Sequence, residues 1–234
     1  MIADAFVLAA GNSTRMLGAY PVPKPLLPLG GIPVLFRNLR WLQDAGVRNI
    51  ACNWSSPVDA KAFSDFHGIR VLREPPDALL GTAGPVKRAY CSAPRRAIIV
   101  YGDQVTNADL EGMVAFHESN GLAVTMLVFD GHAGRNTGPV GGWVYSQLGR
   151  VLALYETRGA PPPMSTRYGN AGVYIIEPSV IDRIPDGPCD WCLDVLPGLI
   201  VDGEVAAFFH DGWVWSIDTP ASYGKALSLW PGGS

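Results

Sequence analysis

The sequence predicts an α/β fold: a Rossmann-like mixed, mostly parallel sheet flanked by helices. Three observations carry that expectation. The apolar runs Phe6-Val7-Leu8-Ala9-Ala10 and Ala97-Ile98-Ile99-Val100-Tyr101 each end abruptly at a small residue, as strands buried on both faces do. Between them strand-like and helix-like segments alternate, and βαβαβ alternation implies parallel strands joined by crossover helices. From Asp130 to about residue 178 the pattern changes to Gly, Pro and short strands, which reads as an antiparallel elaboration over the ligand cleft.

Taken in order, the first strand gives way to the loop Gly11-Asn12-Ser13-Thr14-Arg15 and then to a stiff Pro23-Lys24-Pro25. Pro33 opens a helical pattern through Val34, Leu35, Leu39 and Leu42 that stops near Gly46. Residues 49–53 form a strand, 57–66 a helix, and 69–72 a strand running into Arg73-Glu74-Pro75-Pro76. A helix over 82–90 tolerates Pro85 in its first turn. After the strand at 97–101 comes Gly102-Asp103, then a helix over 109–120 and a strand over 123–129. Strands at 140–145, 151–156 and 172–176 make up the elaboration, and residues 159–164 are assigned no structure. Helices at 179–184 and 190–200, strands at 205–209 and 213–217, and a helix from Pro220 return to α/β character. Residues 230–234 read as a frayed tail. The chain is taken as one domain, 1–234, with parts at 1–129, 130–178 and 179–230. Ligands of such sheets bind beyond the carboxyl ends of the strands, where the Gly11 loop and Asp103 both fall.

Composition narrows the function. With 48% hydrophobic and 17% charged residues the chain has a real core, and a formal charge of −3 argues against a nucleic-acid surface or polybasic membrane binding. No apolar run approaches a membrane span and no basic leader precedes the first strand, so the cytoplasm is the expected location. Exposed apolar strands are compatible with a homo-oligomer. Of the cysteines, Cys52 and Cys91 read as packing residues. Cys189 and Cys192 form a C-x-x-C, but its setting is not thioredoxin-like and it lacks further zinc ligands, so packing is favoured there too. His67, His117, His132 and His210 show no ligand spacing.

Chemistry concentrates at the opening loop. Small residues there let main-chain N–H groups approach an anion, Arg15 adds a forked cation and Lys24 a second. A strand entering such a loop, followed by two rigidly placed cations, is how a protein grips a polyphosphate. No Gly-Lys-Ser/Thr closes the loop, which argues against a P-loop ATPase.

The stretch LAAGNSTRM followed by PKPLLPLGGIPVL resembles the signature of the sugar-1-phosphate nucleotidyltransferases. That resemblance implies joining a sugar 1-phosphate to a nucleoside triphosphate, with release of pyrophosphate. Mannose- and heptose-1-phosphate guanylyltransferases share the Gly-Thr-Ala-Gly style of base loop, and N-acetylmuramate-1-phosphate uridylyltransferases are of comparable length. GTP or UTP is therefore favoured over dTTP. The attacking sugar phosphate is already anionic, so the site must supply alignment and charge neutralisation rather than a strong base. The expected cofactor is Mg2+.

The resemblance also implies roles. Leu8, Ala9, Ala10, Gly11, Asn12, Ser13 and Thr14 line the nucleotide; Arg15 and Lys24, catalytic together with Asp103, meet the triphosphate. Asp103, in Tyr101-Gly102-Asp103, is the first metal ligand and Asp218 the second. Here the chain departs from many relatives, whose Asp-Ile-Gly-Thr-Pro places the aspartate at the position of Ser216. Two positions along a strand keep the same face, so Asp218 still reaches the ion; the competing reading is a cap on the final helix. Glu74 with Gly81, Thr82 and Ala83 resembles the base- and ribose-contacting segment, or is a plain helix start capped by Thr82. On the sugar side, Glu156, Asn170 and Gly172 match family positions. The family's phosphate-binding lysine is Thr157 here; Arg158 or Arg167 replaces it, with Arg167 favoured because it precedes Gly169-Asn170-Ala171-Gly172. Asp194 matches the family and reads as structural, and Trp191, Trp213 and Trp215 as core or rim aromatics. A cytidylyltransferase for another phosphorylated alcohol, or a silent subunit that binds a nucleotide sugar, remains as an alternative.

Overall fold

The structure, a computed structural model, describes residues 2, 4–16, 18–20, 22–55, 68–138, 142–156 and 166–231. The helix expected at 57–66 and the loop at 159–164 lie outside the described residues, as do Thr157 and Arg158.

Strands β1 (Asp4–Leu8), β2 (Pro28–Leu29) and β3 (Ile32–Pro33) precede helix α1 (Val34–Asp44). Then come β4 (Asn49–Trp54), β5 (Ile69–Arg73), α2 (Gly84–Tyr90), β6 (Ala97–Tyr101), β7 (Gln104–Thr106) and α3 (Leu110–Asn120). The second half holds β8 (Val124–Asp130), β9 (Trp143–Gln147), β10 (Arg150–Tyr155), β11 (Tyr168–Ile176), α4 (Ser179–Arg183) and α5 (Leu196–Val201). β12 (Val205–His210), β13 (Val214–Ser216) and α6 (Pro220–Leu229) follow.

Nine strands form one sheet in the order β5-β4-β1-β6-β11-β8-β12-β10-β9. The β5-β4-β1-β6 half is parallel, as the alternation predicts, and β12 runs parallel to β8. β11 lies antiparallel between β6 and β8. The sheet is thus mixed through its middle, because a strand of the antiparallel elaboration occupies a central slot. β9 and β10 form a hairpin that returns to the first residues of β11, with Tyr168 opposite Val144. β11 begins at Tyr168, four residues ahead of the expected 172–176, so the Gly169–Gly172 segment is strand rather than loop. Its register slips between Asn170 and Tyr174, and Gly172 sits there at φ 65°, where a glycine costs least.

Period-2 alternation sends the strand side chains to two cores. Phe6 and Leu8 join Ile99, Val86, Val180 and Leu196 on the α2, α4 and α5 face. Ala5 and Val7 join Val100, Leu35, Leu39 and Met113 on the α1 and α3 face. Each fully buried aliphatic side chain is worth roughly 1.5–3 kcal/mol, so this sandwich fixes the sheet and leaves the strand ends to carry function. Asp109 caps α3 by accepting from Gly112 N–H at 2.9 Å, and Gly121 ends it at φ 66°. The helix expected at 190–200 divides into a wide turn at Trp191–Val195 and α5, with Asp190 accepting from Cys192 N–H and Asp194 from Asp190 N–H. A third core gathers Met16, Leu29, Val34, Trp215 and Tyr223, with Trp230 against it. The expected fraying at 230 is therefore corrected: Trp230 packs on Trp215 and beneath the Arg37 guanidinium.

Candidate active site

One feature of the fold creates the site. β13 pairs antiparallel with β7, Ser216 opposite Gln104, and Ile217 N–H donates to Asp103 C=O at 3.0 Å. Asp103 and Asp218 are thereby brought to the same end of a two-stranded ribbon. Asn38 of α1 anchors the ribbon by donating to Gln104 C=O at 2.8 Å. Neither β7 nor Asn38 figured in the sequence reading.

Between the two carboxylates stands Lys24. Its Nζ lies 3.0 Å from Asp103 Oδ2 and 2.6 Å from Asp218 Oδ1, and Arg15 pairs with the other oxygen of Asp218. The placement of Lys24 follows from its surroundings: Pro25 rides in a short 3-10 turn, and Ser13 Oγ, on a loop residue at φ 49°, accepts the Lys24 N–H at 3.1 Å. Burial works against the Lys24 ammonium, but the fields and hydrogen bonds of Asp103 and Asp218 outweigh it and hold its pKa above the ordinary lysine value. Burial likewise works against the Asp218 carboxylate; its hydrogen bond to Lys24 and the charges of Lys24 and Arg15 outweigh that and hold its pKa low. Thr219, not Asp218, caps α6, in a reciprocal box with Ser222. The capping reading of Asp218 is thus replaced.

The cleft around this cluster is lined by Leu8, Ala9, Ala10, Gly11, Asn12, Ser13, Thr14, Arg15, Lys24, Gly81, Thr82, Asp103, Glu156 and Asp218 from the predicted set. Pro25, Tyr101, Gln104, Asp190, Cys192 and Ser216 also line it and were not predicted. Tyr101 and Gln104 flank Gly102-Asp103, and that adjacency was the available signal. The base-loop segment is stapled in place: Thr82 and Ala83 N–H both donate to Cys189 C=O at 3.0 Å, and Thr82 Oγ accepts from Trp191 N–H. Gly81, at φ 77°, runs against the Cys189 backbone, which leaves no room for a Cβ. Ala83 is fully buried behind the cleft. Cys189 and Cys192 are both buried thiols outside any disulfide; Cys192 Sγ lies against Tyr101 Oη, Asn170 Nδ2 and Tyr174 Oη, and burial pushes its pKa up to about 12, against thiolate chemistry.

Several predicted contacts fall elsewhere. Ala9 and Ala10 N–H already donate to Asn53 Oδ1, at 2.8 and 3.2 Å, and Gly11 N–H to Ser55 Oγ at 3.3 Å. The anion-facing amides expected there are therefore engaged by β4 and the residue after it. Glu74 lies behind the cleft wall, buried, with its carboxylate on Asn53 and Leu80 N–H. Asn170 points into the core, donating to Tyr174 Oη at 2.6 Å and accepting Gly172 N–H, because β11 is buried on both faces. Gly172 serves that strand's bulge, packed against Tyr101 and Gln104. Arg167 is on the outer surface, its guanidinium on Asp130 Oδ2 at 2.6 and 2.9 Å, and does not line the cleft. Its expected place over the sugar phosphate is corrected accordingly.

A loop of small residues, two cations and two carboxylates at the carboxyl end of the parallel half of a mixed sheet define a nucleotide-handling α/β protein. Residues 5–170 match the MobA-like NTP transferase domain, and the chain belongs to that family. It is 30% identical over 229 residues to a mannose-1-phosphate guanylyltransferase of Mycobacterium tuberculosis, covering 94% of this chain and 62% of that protein. It is 26% identical to a glucose-1-phosphate cytidylyltransferase of Salmonella typhi, covering 98% of this chain and 96% of that one. The fold is shared with HddC from Yersinia pseudotuberculosis (24% identity, 99% of this chain and 100% of that chain, TM-score 0.77). It is shared too with an inositol-1-phosphate CTP transferase from T. maritima (16% identity, 100% and 98%, TM-score 0.77). Among the described residues no helix is long and apolar enough to cross a membrane.

Proposed function

We propose that this protein transfers a nucleotidyl group from a nucleoside triphosphate to a sugar 1-phosphate, forming a nucleotide sugar and pyrophosphate. The observation that carries the reading is the convergence of Lys24 and Arg15 on Asp103 and Asp218 beside the Gly11 loop. A sugar phosphate oxygen attacks the α-phosphorus in line, and pyrophosphate leaves. Arg15, with its side chain 47% exposed, is placed to turn outward onto the triphosphate, while Lys24 meets charge that grows in the transition state. Leu8 to Thr14, Gly81 and Thr82 form the nucleotide wall. Glu156, Tyr101, Gln104 and Asp190 form the acceptor wall, from the 130–178 elaboration and its neighbours.

Asp103 and Asp218 place hard oxygen ligands, the donor type Mg2+ prefers, on either side of Lys24 Nζ, and would hold the ion once Lys24 and Arg15 turn to the phosphates. No larger cluster of His, Cys, Asp or Glu among the described residues could hold a metal, so substrate phosphates would complete its shell. Mg2+ bound there would neutralise phosphate charge and align the two substrates. The mycobacterial relative supports GTP and mannose 1-phosphate as the first pair to test, and the match along nearly the full length of the Salmonella enzyme brings CTP into the same screen. All four ribonucleoside triphosphates and dTTP, each against a panel of sugar 1-phosphates, are scored by pyrophosphate release. Release that depends on one sugar 1-phosphate is expected; release without any acceptor overturns the reading.

A further inference from the structure

Behind the nucleotide wall, two side chains from neighbouring strands tie two separate stretches of main chain together. Asn53, near the end of β4, is 1% exposed, and Glu74, just past β5, is 4% exposed. Asn53 Oδ1 accepts from Ala9 and Ala10 N–H, at 2.8 and 3.2 Å, and Asn53 Nδ2 donates to Glu74 Oε1 at 2.9 Å. Glu74 Oε2 in turn accepts from Leu80 N–H at 2.9 Å. The chemistry fixes the orientation of the amide: only its oxygen can accept from two N–H groups, and only its nitrogen can donate to a carboxylate. Ala9 and Ala10 open the loop that follows β1, whereas Leu80 immediately precedes Gly81 and Thr82 on the other lip of the cleft.

We infer that Asn53 and Glu74 are positioning residues for the nucleotide: a buried clamp that sets the separation of the two lips. The inference rests on the proposed reading that a nucleotide lies between them. A carboxylate is needed because both partners of Glu74 are donors. An amide is needed at Asn53 because it must accept on one side and donate on the other. Hydrophobic replacements of either would leave main-chain donors buried without acceptors, a costly outcome. Neither side chain lines the cleft, so neither touches substrate; their effect passes through the backbone of Ala9, Ala10 and Leu80.

The clamp has a reciprocal form that tests it. In Asn53→Asp two carboxylates face each other across the former hydrogen bond, and in Glu74→Gln one of the donors, Asn53 Nδ2 or Leu80 N–H, meets an amide NH2. In the double variant the carboxylate introduced at position 53 accepts from Ala9 N–H, Ala10 N–H and the new amide nitrogen at position 74. The amide oxygen at position 74 accepts from Leu80 N–H. Every hydrogen bond returns, with the central one reversed, and the net charge is unchanged. With GTP and mannose 1-phosphate, or the pair selected by the substrate screen, each single variant is expected to raise KM for the nucleotide about tenfold or more. KM for the sugar phosphate should stay within about twofold, and the double variant should return to within about threefold of wild type. Amide exchange at Ala9, Ala10 and Leu80 should speed up in the singles and slow again in the double. Glu74→Gln disturbs one hydrogen bond only, and carries the test if Asn53→Asp does not fold. An active wild type whose double variant is no better than the worse single, or whose singles raise both KM values equally, overturns the clamp. A wild type that turns over no pair in the screen instead overturns the proposed function, and restored amide protection in the double would then establish the clamp as structural only.

Discussion

Replacing Lys24 by Met removes the one charge that stands between Asp103 and Asp218. Their facing oxygens lie 3.0 and 2.6 Å from the same nitrogen, so they are within about 5.6 Å of each other. Unscreened by the ammonium, two unit charges at that distance repel by about 3 kcal/mol at an effective dielectric of 20. Both carboxylates are largely covered, with side chains 24% and 9% exposed, so solvent relieves only part of this. A shorter separation would raise that figure and Arg15, which remains on Asp218, offsets part of it, so about 3 kcal/mol is the working value. At roughly 2–4 °C per kcal/mol for a chain of this size, Tm at pH 7.5 should fall by about 6–12 °C. The loss has a definite sign with pH. With Lys24 present the pKa of Asp218 is depressed, so its stabilisation is present above the unfolded carboxylate range and lost as pH falls through the folded value. Without Lys24, repulsion and burial favour the protonated acid, and the penalty appears only as pH rises above that range. The variant should therefore lie closest to wild type near pH 4 and fall behind towards neutrality. Turnover should drop by about a hundredfold or more, the scale of losing a preorganised transition-state donor. Differential scanning from pH 4 to 8 and a pyrophosphate-release assay make the measurement. Near wild-type turnover, or a Tm deficit that is largest in acid, would refute the reasoning.

Four further outcomes are expected. Thr219→Ala removes the cap of α6 and should cost about 1 kcal/mol, read as a small Tm loss with both KM values unchanged. Gly172→Ala forces a left-handed residue whose Cβ lies 2.9 Å from the Tyr101 side chain; the conformation alone costs about 1–2 kcal/mol, and urea unfolding should show at least that much. Burial lowers the His117 pKa despite Glu177, so the neutral ring is preferred and its stabilisation, present above the unfolded histidine range, is lost as pH falls; Tm should decline from pH 7 to 5, and less so in His117→Gln. Arg167→Ala breaks a surface pair with Asp130 and a contact over the Tyr168 ring, both away from the cleft, and steady-state kinetics should show KM for the sugar phosphate unchanged.

The legible parts of this chain were those where local chemistry leaves little choice. Two apolar runs ending in Gly11 and Gly102 announced the strands, and their C-terminal loops announced Arg15, Lys24 and Asp103. Asp218 was within reach of the same logic because a strand face repeats every second residue. What could not be read is where a side chain points once a strand is buried on both sides. Asn170 and Gly172 match family positions that imply a sugar contact, yet β11 carries them into the centre of the sheet. Glu74 was read correctly as belonging with Leu80 to Ala83, but a carboxylate facing substrate and one facing Asn53 look the same in one dimension. Arg167 was chosen for its neighbours in sequence, whereas Asp130, far away in the chain, decides its place.

The pairing of β7 with β13 also has a bearing on synthesis. Lys24 and Asp218 are 194 positions apart, and the ribbon that unites Asp103 with Asp218 exists only once the late strand has arrived. A nascent chain with β13 still inside the ribosome holds the opening loop and both cations, but has only Asp103 to set against them. Met16, Leu29 and Val34, beneath the same loop, likewise wait for Trp215 and Tyr223 to complete their core. On the proposed reading, the chemistry is assembled only when translation has delivered the last short strand.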